Sequence, residues 1–463
     1  MTIWAASELH TVAFKDVRLR KRLFRLVDDL AAHPTARIPE ACGSWTATKG
    51  AYRFLDSKRV TPTAIRTAHH ACTLTRVGLQ TTVLVIQDTT ELDFTAHPAP
   101  TDLGYLDHPK HRGLKVHSAL AVTTAGVPLG LVDQAVWIRD PAMLGKKHQR
   151  AKRETAQQES QRWLTALTAT QDAIPDDIQV ITVADREADF SPLFAAERRT
   201  GAEVLIRAAH NRRVDADTQL LEQAIAAAPV GGTLMVAVPR RGNQSARQAT
   251  VALRWTSVTV GPPQHAKQRA TLPHIPVQVV VAEELSPPPG VKPLRWVLLT
   301  TLPVTGRDDA VQIVGWYRTR WLIERYHFVL KSGCGIEKLQ LEPADRLQRA
   351  LAVYCVVAWR LLWLTYEARQ QPDEICTVML APHAWQALYC TIHQTPIPPT
   401  TPPTLRQAVR WIAQLGGFLA RTGDGEPDVQ TIWRGLRRLD DIAMTWMLLH
   451  RTPPDQLDNS SYV

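Results

Sequence analysis

Apolar positions near the start of the chain recur at mixed spacings of three and four: Val17, Leu19, Leu23, Phe24, Leu26, Val27 and Leu30. That spacing predicts helix over residues 1 to about 70. Arg18, Arg20, Lys21, Arg22 and Arg25 are interleaved with it, so one face can pack while the other meets phosphate or water. From about residue 80 the period changes. Val83-Leu84-Val85-Ile86 is a short β-branched run expected to stop at Asp88, and Lys115 to Val122 with Val127 to Trp137 predict a hairpin turning at Thr124-Ala125-Gly126. A helix is expected from about Arg150 to Leu167, then a strand from Ile178 to Val183 that stops at Asp185. This order of elements predicts one mixed α/β sheet with covered faces.

Strand patterns then dominate: Glu203 to Arg207, Thr233 to Val238, Thr250 to Val260, Val277 to Val281 and Trp296 to Thr300. Residues 212–290 read as a β-rich insertion. One long helix is expected from Ala310 to Ser332, and a second from Leu347 to Glu367, apolar nearly all round and therefore buried. Beyond a link containing Pro396, Pro398, Pro399, Pro402 and Pro403, final helices are expected from about 404 and about 428. In the last of them Ile432, Leu436, Leu439, Ala443 and Trp446 form a heptad-type seam, which either folds back on the buried helix or meets a second copy.

At 463 residues the chain is long enough for two to four domains. Its 45% apolar and 21% charged residues exclude wholesale disorder, and the sequence shows no apolar run near the ~20 residues of a membrane span. The opening MTIWAASELH lacks a basic segment followed by an apolar one, so a cytoplasmic location is expected. Cys42, Cys72, Cys334, Cys355, Cys376 and Cys390 are scattered, which predicts reduced thiols rather than a disulfide framework. A net charge of +10 favours a polyanionic partner, with nucleic acid first.

The candidate chemistry lies in carboxylates. Asp88 and Asp185 each follow an apolar strand, where a rigid backbone can hold a carboxylate at the edge of a sheet, and two neighbouring ends can share a hard cation such as Mg²⁺. Each alone is better explained as a turn or cap residue. In the segment Tyr317 to Lys331, the residues Tyr317, Arg320, Glu324 and Lys331 fall within an arc of roughly 60° on a regular helix. The simpler alternative is a solvated salt-bridge ladder pairing Arg320 with Glu324. His108 and His111 lack a third ligand for zinc. The basic run Lys146, Lys147, Arg150, Lys152 and Arg153 suits either DNA or water, and Glu91, Asp93, Glu187 and Asp189 read as capping or supporting residues.

With Gly50-Ala-Tyr-Arg-Phe54, Gln87-Asp88-Thr-Thr90, Asp185-Arg-Glu-Ala-Asp189, Pro293-Leu-Arg-Trp296 and the Tyr-x2-Arg-x3-Glu-x6-Lys spacing of Tyr317 to Lys331, the sequence resembles the cut-and-paste DDE transposases of bacterial insertion sequences, in the branch called insertion sequence family four. The resemblance covers most of the first 370 residues. It implies an α/β fold: a ribonuclease-H-like mixed-sheet core at 71–370 containing the 212–290 insertion, flanked by a helical DNA-end-binding domain at 1–70 and a helical dimerisation domain at 371–463. The acidic triad maps onto Asp88, Asp185 and Glu324, holding two Mg²⁺ ions, with Mn²⁺ as a substitute.

Tyr317, Arg320 and Lys331 match residues that contact phosphates near the transposon end. Trp296 matches one that stacks a flipped base, and Arg207 matches a DNA-contacting arginine. Ala209 stands where the family has lysine, so Arg212 or Arg213 is expected to substitute. The implied partners are double-stranded DNA, both transposon ends and target, and a second copy of the chain in the paired-end complex. No membrane is implied; the setting is the bacterial cytoplasm, at the nucleoid. Excision by hydrolysis and hairpin formation would precede joining of the 3′ ends to target. Alternatives are a catalytically silent DNA-binding descendant and a ribonuclease-H-like nuclease without strand transfer.

Overall fold

A computed structural model describes residues 4–97, 102–145, 159–215, 218–238, 246–262 and 273–450. The basic run from Lys146 to Arg153 lies outside them, as does the expected start of a helix at Arg150. The described chain opens with helices α1 Trp4–Glu8, α2 Val17–Ala32, α3 Ile38–Cys42, α4 Trp45–Asp56 and α5 Pro62–Val77. Strands β1 Thr82–Asp93, β2 Gly104–Tyr105, β3 Arg112–Thr123 and β4 Pro128–Trp137 follow, then α6 Gln161–Ala173, β5 Gln179–Ala184, α7 Ser191–Ala195 and β6 Ala202–Arg207. Next come β7 Arg213–Val214, β8 Gln219–Leu220, α8 Leu221–Ala227, β9 Gly232–Val238, β10 Arg247–Val260, β11 Ile275–Glu284 and β12 Arg295–Thr300. The chain closes with α9 Arg307–Thr319, α10 Trp321–Phe328, α11 Ala344–Gln370, α12 Pro382–His393, α13 Leu405–Leu415 and α14 Val429–Leu449.

Two compact units result. One comprises Met1–His69, Ala96–Asp102 and Tyr326–Val463; the other comprises His70–Thr95 and Leu103–Arg325. The second unit carries a 12-stranded mixed sheet ordered β2-β3-β1-β5-β6-β12-β11-β10-β7-β8, with β4 on β3 and β9 on β10. β1, β5 and β6 are parallel, and the other pairings are antiparallel. The β-rich stretch at 212–290 therefore extends the same sheet through β12, rather than forming a sheet of its own. The hairpin lies where the sequence places it, with Gly126 in a left-handed conformation at its turn (φ +92°). β1 does not stop at Asp88. Thr89, Thr90 and Leu92 are as strand-compatible as the run before them, and β1 continues along β3 to Asp93. Apolar side chains of β1 and β3, such as Val83, Val85, Ala119 and Ala121, bury against Leu129, Val132 and Ile174.

In the other unit, α2 starts where Asp16 accepts the Arg18 backbone N–H at 2.9 Å, and buries Leu23, Leu26, Val27 and Leu30. α11 is its centre. By length and composition this helix could cross a membrane, contrary to the expectation from the sequence, with a mean hydropathy of 1.3 in its most apolar window. However, 78% of that window is buried inside the protein, so its apolar surface is already consumed in packing. α12, which starts with Pro382 in its first turn, was not expected from the sequence. No disulfide links the six cysteines, five of which are buried.

The seam of α14 is corrected. Ile432, Leu439 and Ala443 are buried, and Ile432 and Leu439 belong to a cluster with Trp385, Leu388, Val409 and Ile412 from α12 and α13. The seam thus packs inside its own chain, chiefly on α12 and α13. The apolar side chains that α14 leaves in water are Met444, Leu448 and Leu449. α13 and α14 approach with almost nothing between their backbones, because a Cβ on Gly435 would strike the Ile412 carbonyl and one on Gly416 the Thr431 carbonyl. Gly435→Ala should therefore cost about 1–3 kcal/mol of stability, the usual range for overpacking. A denaturant melt unchanged from wild type would mean that the crossing relaxes freely.

Candidate active site

Register sets the first two carboxylates. Ile86 of β1 lies beside Val183 of β5 in a parallel pairing, so two further residues on each strand bring Asp88 and Asp185 level at the carboxyl side of β5. β5 ends at Ala184, and Asp185 caps the short turn Arg186–Ala188, accepting the Glu187 N–H at 2.8 Å. Burial raises the Asp185 carboxyl above its ordinary value of 3.8, and the neighbouring Asp88 and Glu324 carboxylates add to the rise. Glu187 is likewise raised, first by burial and then by Asp185 and Asp88.

The helix expected over 310–332 is broken. The Thr319 hydroxyl donates to the Trp316 carbonyl at 2.7 Å and the Arg320 N–H donates to Tyr317 at 3.0 Å, which ends α9 and starts α10 at Trp321. Val329 to Gly333 then form a π turn, closed by the Cys334 N–H on the Val329 carbonyl at 2.7 Å. Gly333 permits it, because a Cβ there would strike the Trp433 ring. The single regular stripe inferred from Tyr317, Arg320, Glu324 and Lys331 is thus not kept: Lys331 sits in the widened turn, in the other compact unit, 3.9 Å from Glu337.

The remaining residues gather. Arg320 donates to Glu324 as a close ion pair and lies 6.0 Å from the Tyr317 ring centre. Its charge also reaches Asp185. Tyr317 is buried, which raises its phenol, and it meets the Trp296 ring edge-on at 5.9 Å. Arg207 bonds Tyr317 and donates to the Arg295 carbonyl at 3.1 Å. Asp88, Asp185, Glu324, Arg320, Tyr317, Arg207 and Trp296 thus share one region of one unit.

Arg212 is different. Its guanidinium pairs closely with buried Asp189, which also accepts the Ala209 N–H at 2.6 Å and the His210 N–H at 3.3 Å. This guanidinium holds the segment after β6, a pairing not foreseen from the sequence. Glu91 also proves structural, joining Asp107 in gripping buried Lys115 at 3.2 and 3.1 Å. Asp93 pairs with His111 at 2.8 Å. In the other unit, Arg18 is exposed and bonded to Asp16, Arg20 reaches the His10 carbonyl at 3.5 Å, Lys21 is exposed, and Arg22 lies against Gly50.

Asp88, Asp185 and Glu324 fit a divalent cation by donor chemistry: all are hard oxygens, and their mutual repulsion is what such an ion relieves. Yet among the described residues no three His, Cys, Asp or Glu side chains stand close enough together to hold a metal. Glu324 is turned to Arg320 instead, so it must leave that partner to complete a ligand set.

Residues 1–60 match the family model for transposase DNA-binding, residues 87–359 that for the transposase DDE domain, and residues 356–445 that for the transposase Tn5 dimerisation domain. The DDE match spans more than half of the chain, and the chain belongs to the DDE-domain transposases. The three matches together are the domain set of the Tn5-like transposases of insertion sequence family four. A DDE domain implies a ribonuclease-H-like fold, with which the mixed α/β sheet is consistent.

The raised value of Asp185 has a measurable sign. The folded state binds its proton more readily than the unfolded chain does, so ionised Asp185 costs stability at neutral pH, and the cost vanishes as pH falls through the folded value. Asp185→Asn keeps the cap and removes the charge. In metal-free buffer at pH 8 it should melt about 2–4 °C above wild type, corresponding to about 1 kcal/mol. The gain should shrink toward acid pH. A lower Tm at pH 8 would contradict this electrostatic account.

Proposed function

We propose that the chain is a cut-and-paste transposase that binds specific transposon ends, excises the element through nicking and hairpin formation, and joins the 3′ ends to target DNA. The observation that supports this most is the level placement of Asp88 and Asp185 on parallel strands, with Glu324 and Arg320 in the same field. We take residues 1–70 as the end-binding domain, 71–370 as the catalytic core and 371–463 as the dimerisation domain, with the work done at the nucleoid in the cytoplasm.

Asp88, Asp185 and Glu324 would hold the divalent ions, two Mg²⁺ or in substitution Mn²⁺. When bound, these ions lower the pKa of the attacking water or hydroxyl and stabilise the leaving oxygen. Arg320 has two roles that exchange: it neutralises Glu324 while the site is empty of DNA, and turns to a phosphate once Glu324 moves to its ligand position. Arg207 and Tyr317 bind phosphate beside it, and half-buried Trp296 offers a ring on which an unstacked base can stack. Lys331, Arg18, Arg20, Lys21 and Arg22 add phosphate contacts from the other unit.

The decisive assay incubates the protein and Mg²⁺ with DNA spanning the ends of its own element. Hairpin-ended fragments freed of flanking DNA support this function; nicked products that never join target would favour the nuclease alternative. Asp88→Ala, Asp185→Ala and Glu324→Ala should each reduce nicking by at least about a thousandfold while end binding stays within severalfold of wild type. Near-native nicking by any one of them removes that residue from the triad.

For assembly, the exposed end of α14 replaces its buried seam as the contact between copies. Leu448→Asp with Leu449→Asp should leave the melting temperature of the free protein unchanged and abolish two-protomer, two-end complexes on native gels. Retention of those complexes would put the dimer contact elsewhere.

A further inference from the structure

His117 lies on β3 directly opposite Thr89, with no exposed surface. Thr89 and Gln87 are the residues on either side of Asp88. Because side chains alternate along a strand, both point to the face opposite the Asp88 carboxylate. The His117 ring reaches both: Nδ1 is 2.9 Å from the Thr89 hydroxyl, and Nε2 is 3.2 Å from the Gln87 amide. Turned so that both its ends are satisfied, that amide donates to His117 Nε2 and to the Trp163 carbonyl at 3.3 Å, and accepts the Leu167 N–H at 3.3 Å. The imidazole is then neutral, with Nδ1–H donating to Thr89. Trp163 of α6 closes the arrangement, edge-on to the imidazole at 4.7 Å.

This arrangement sits where β1 most needs support. The parallel pairing of β1 with β5 ends at Ile86 and Val183, while its pairing with β3 continues past Asp88 to Asp93. On the opposite face, the Asp88 carboxylate adds to the field that raises Asp185. Repulsion between these carboxylates pushes on a strand that has lost one neighbour, and the ring beneath it grips the two residues that flank the charge. We propose that His117 is a positioning residue that fixes the strand on both sides of Asp88 from the buried face of the sheet, and so sets the affinity of the site for its divalent ions. This rests on the assignment of Asp88 as a metal ligand.

The test is calorimetric titration of the full-length protein with Mn²⁺, alongside metal-free binding of end DNA by gel shift. His117→Ala should weaken Mn²⁺ binding about tenfold, the low end of losses seen when a residue orienting a ligand is removed. DNA binding without metal should stay within twofold. His117→Asn, which can still donate to Thr89, should recover most of the Mn²⁺ affinity. Thr89→Val, which deletes the same hydrogen bond from the other side while keeping side-chain shape, should weaken Mn²⁺ binding severalfold and carries the test if His117→Ala does not fold. Unchanged Mn²⁺ affinity in a folded His117→Ala or in Thr89→Val overturns the proposal. So does parallel loss of Mn²⁺ and DNA binding, which would mean a merely structural histidine. Asp88→Ala run beside them separates the two levels: if it binds Mn²⁺ like wild type, the metal assignment itself fails.

Discussion

Asp88 and Asp185 come level where β1 parts from β5, and the like charge they share, with Glu324 in the same field, is the constraint around which this unit is arranged. Asp88 and Asp185 are level because two parallel strands share a register, and that register comes from apolar runs with no chemistry of their own. Glu324 arrives from α10. Burial and the neighbouring charges leave Asp185 with a raised proton affinity. Arg320 holds the arrangement meanwhile by pairing with Glu324. Such an ion pair, partly exposed, adds little to stability. In the function proposed above, its importance is as an exchangeable partner.

The turn after β5 and the strand around Asp88 are each held by several buried hydrogen bonds. Asp189 fixes the far side of the Asp185 turn by gathering two backbone N–H groups and the Arg212 guanidinium, and His117 grips the residues flanking Asp88 from below. Buried polar groups of this kind are costly unless every bond is made, and when made they define a single geometry.

Much of this was legible in the sequence for simple reasons. β-branched runs beside aspartates announced β1 and β5, turn residues announced the hairpin, and the apolar girth of α11 announced its burial. What failed did so where one local signal was outvoted by another. β1 outran Asp88 because threonines suit strands; the helix over 310–332 broke because Thr319 bonds its own backbone, and widened because Gly333 admits Trp433. The seam of α14 has the spacing of an interface between chains, yet spacing cannot say which partner lies opposite, and α12 and α13 proved to be nearer.

The most direct test of the central claim, that Asp88, Asp185 and Glu324 form one divalent-cation site, is anomalous diffraction from crystals of the protein grown with end DNA and Mn²⁺. Anomalous density is expected against the Asp88 and Asp185 carboxylates, with Glu324 turned from Arg320 toward the ion and the Arg320 guanidinium on a phosphate. Ordered DNA without anomalous density there, or Mn²⁺ bound elsewhere while Glu324 keeps its pairing with Arg320, would contradict it.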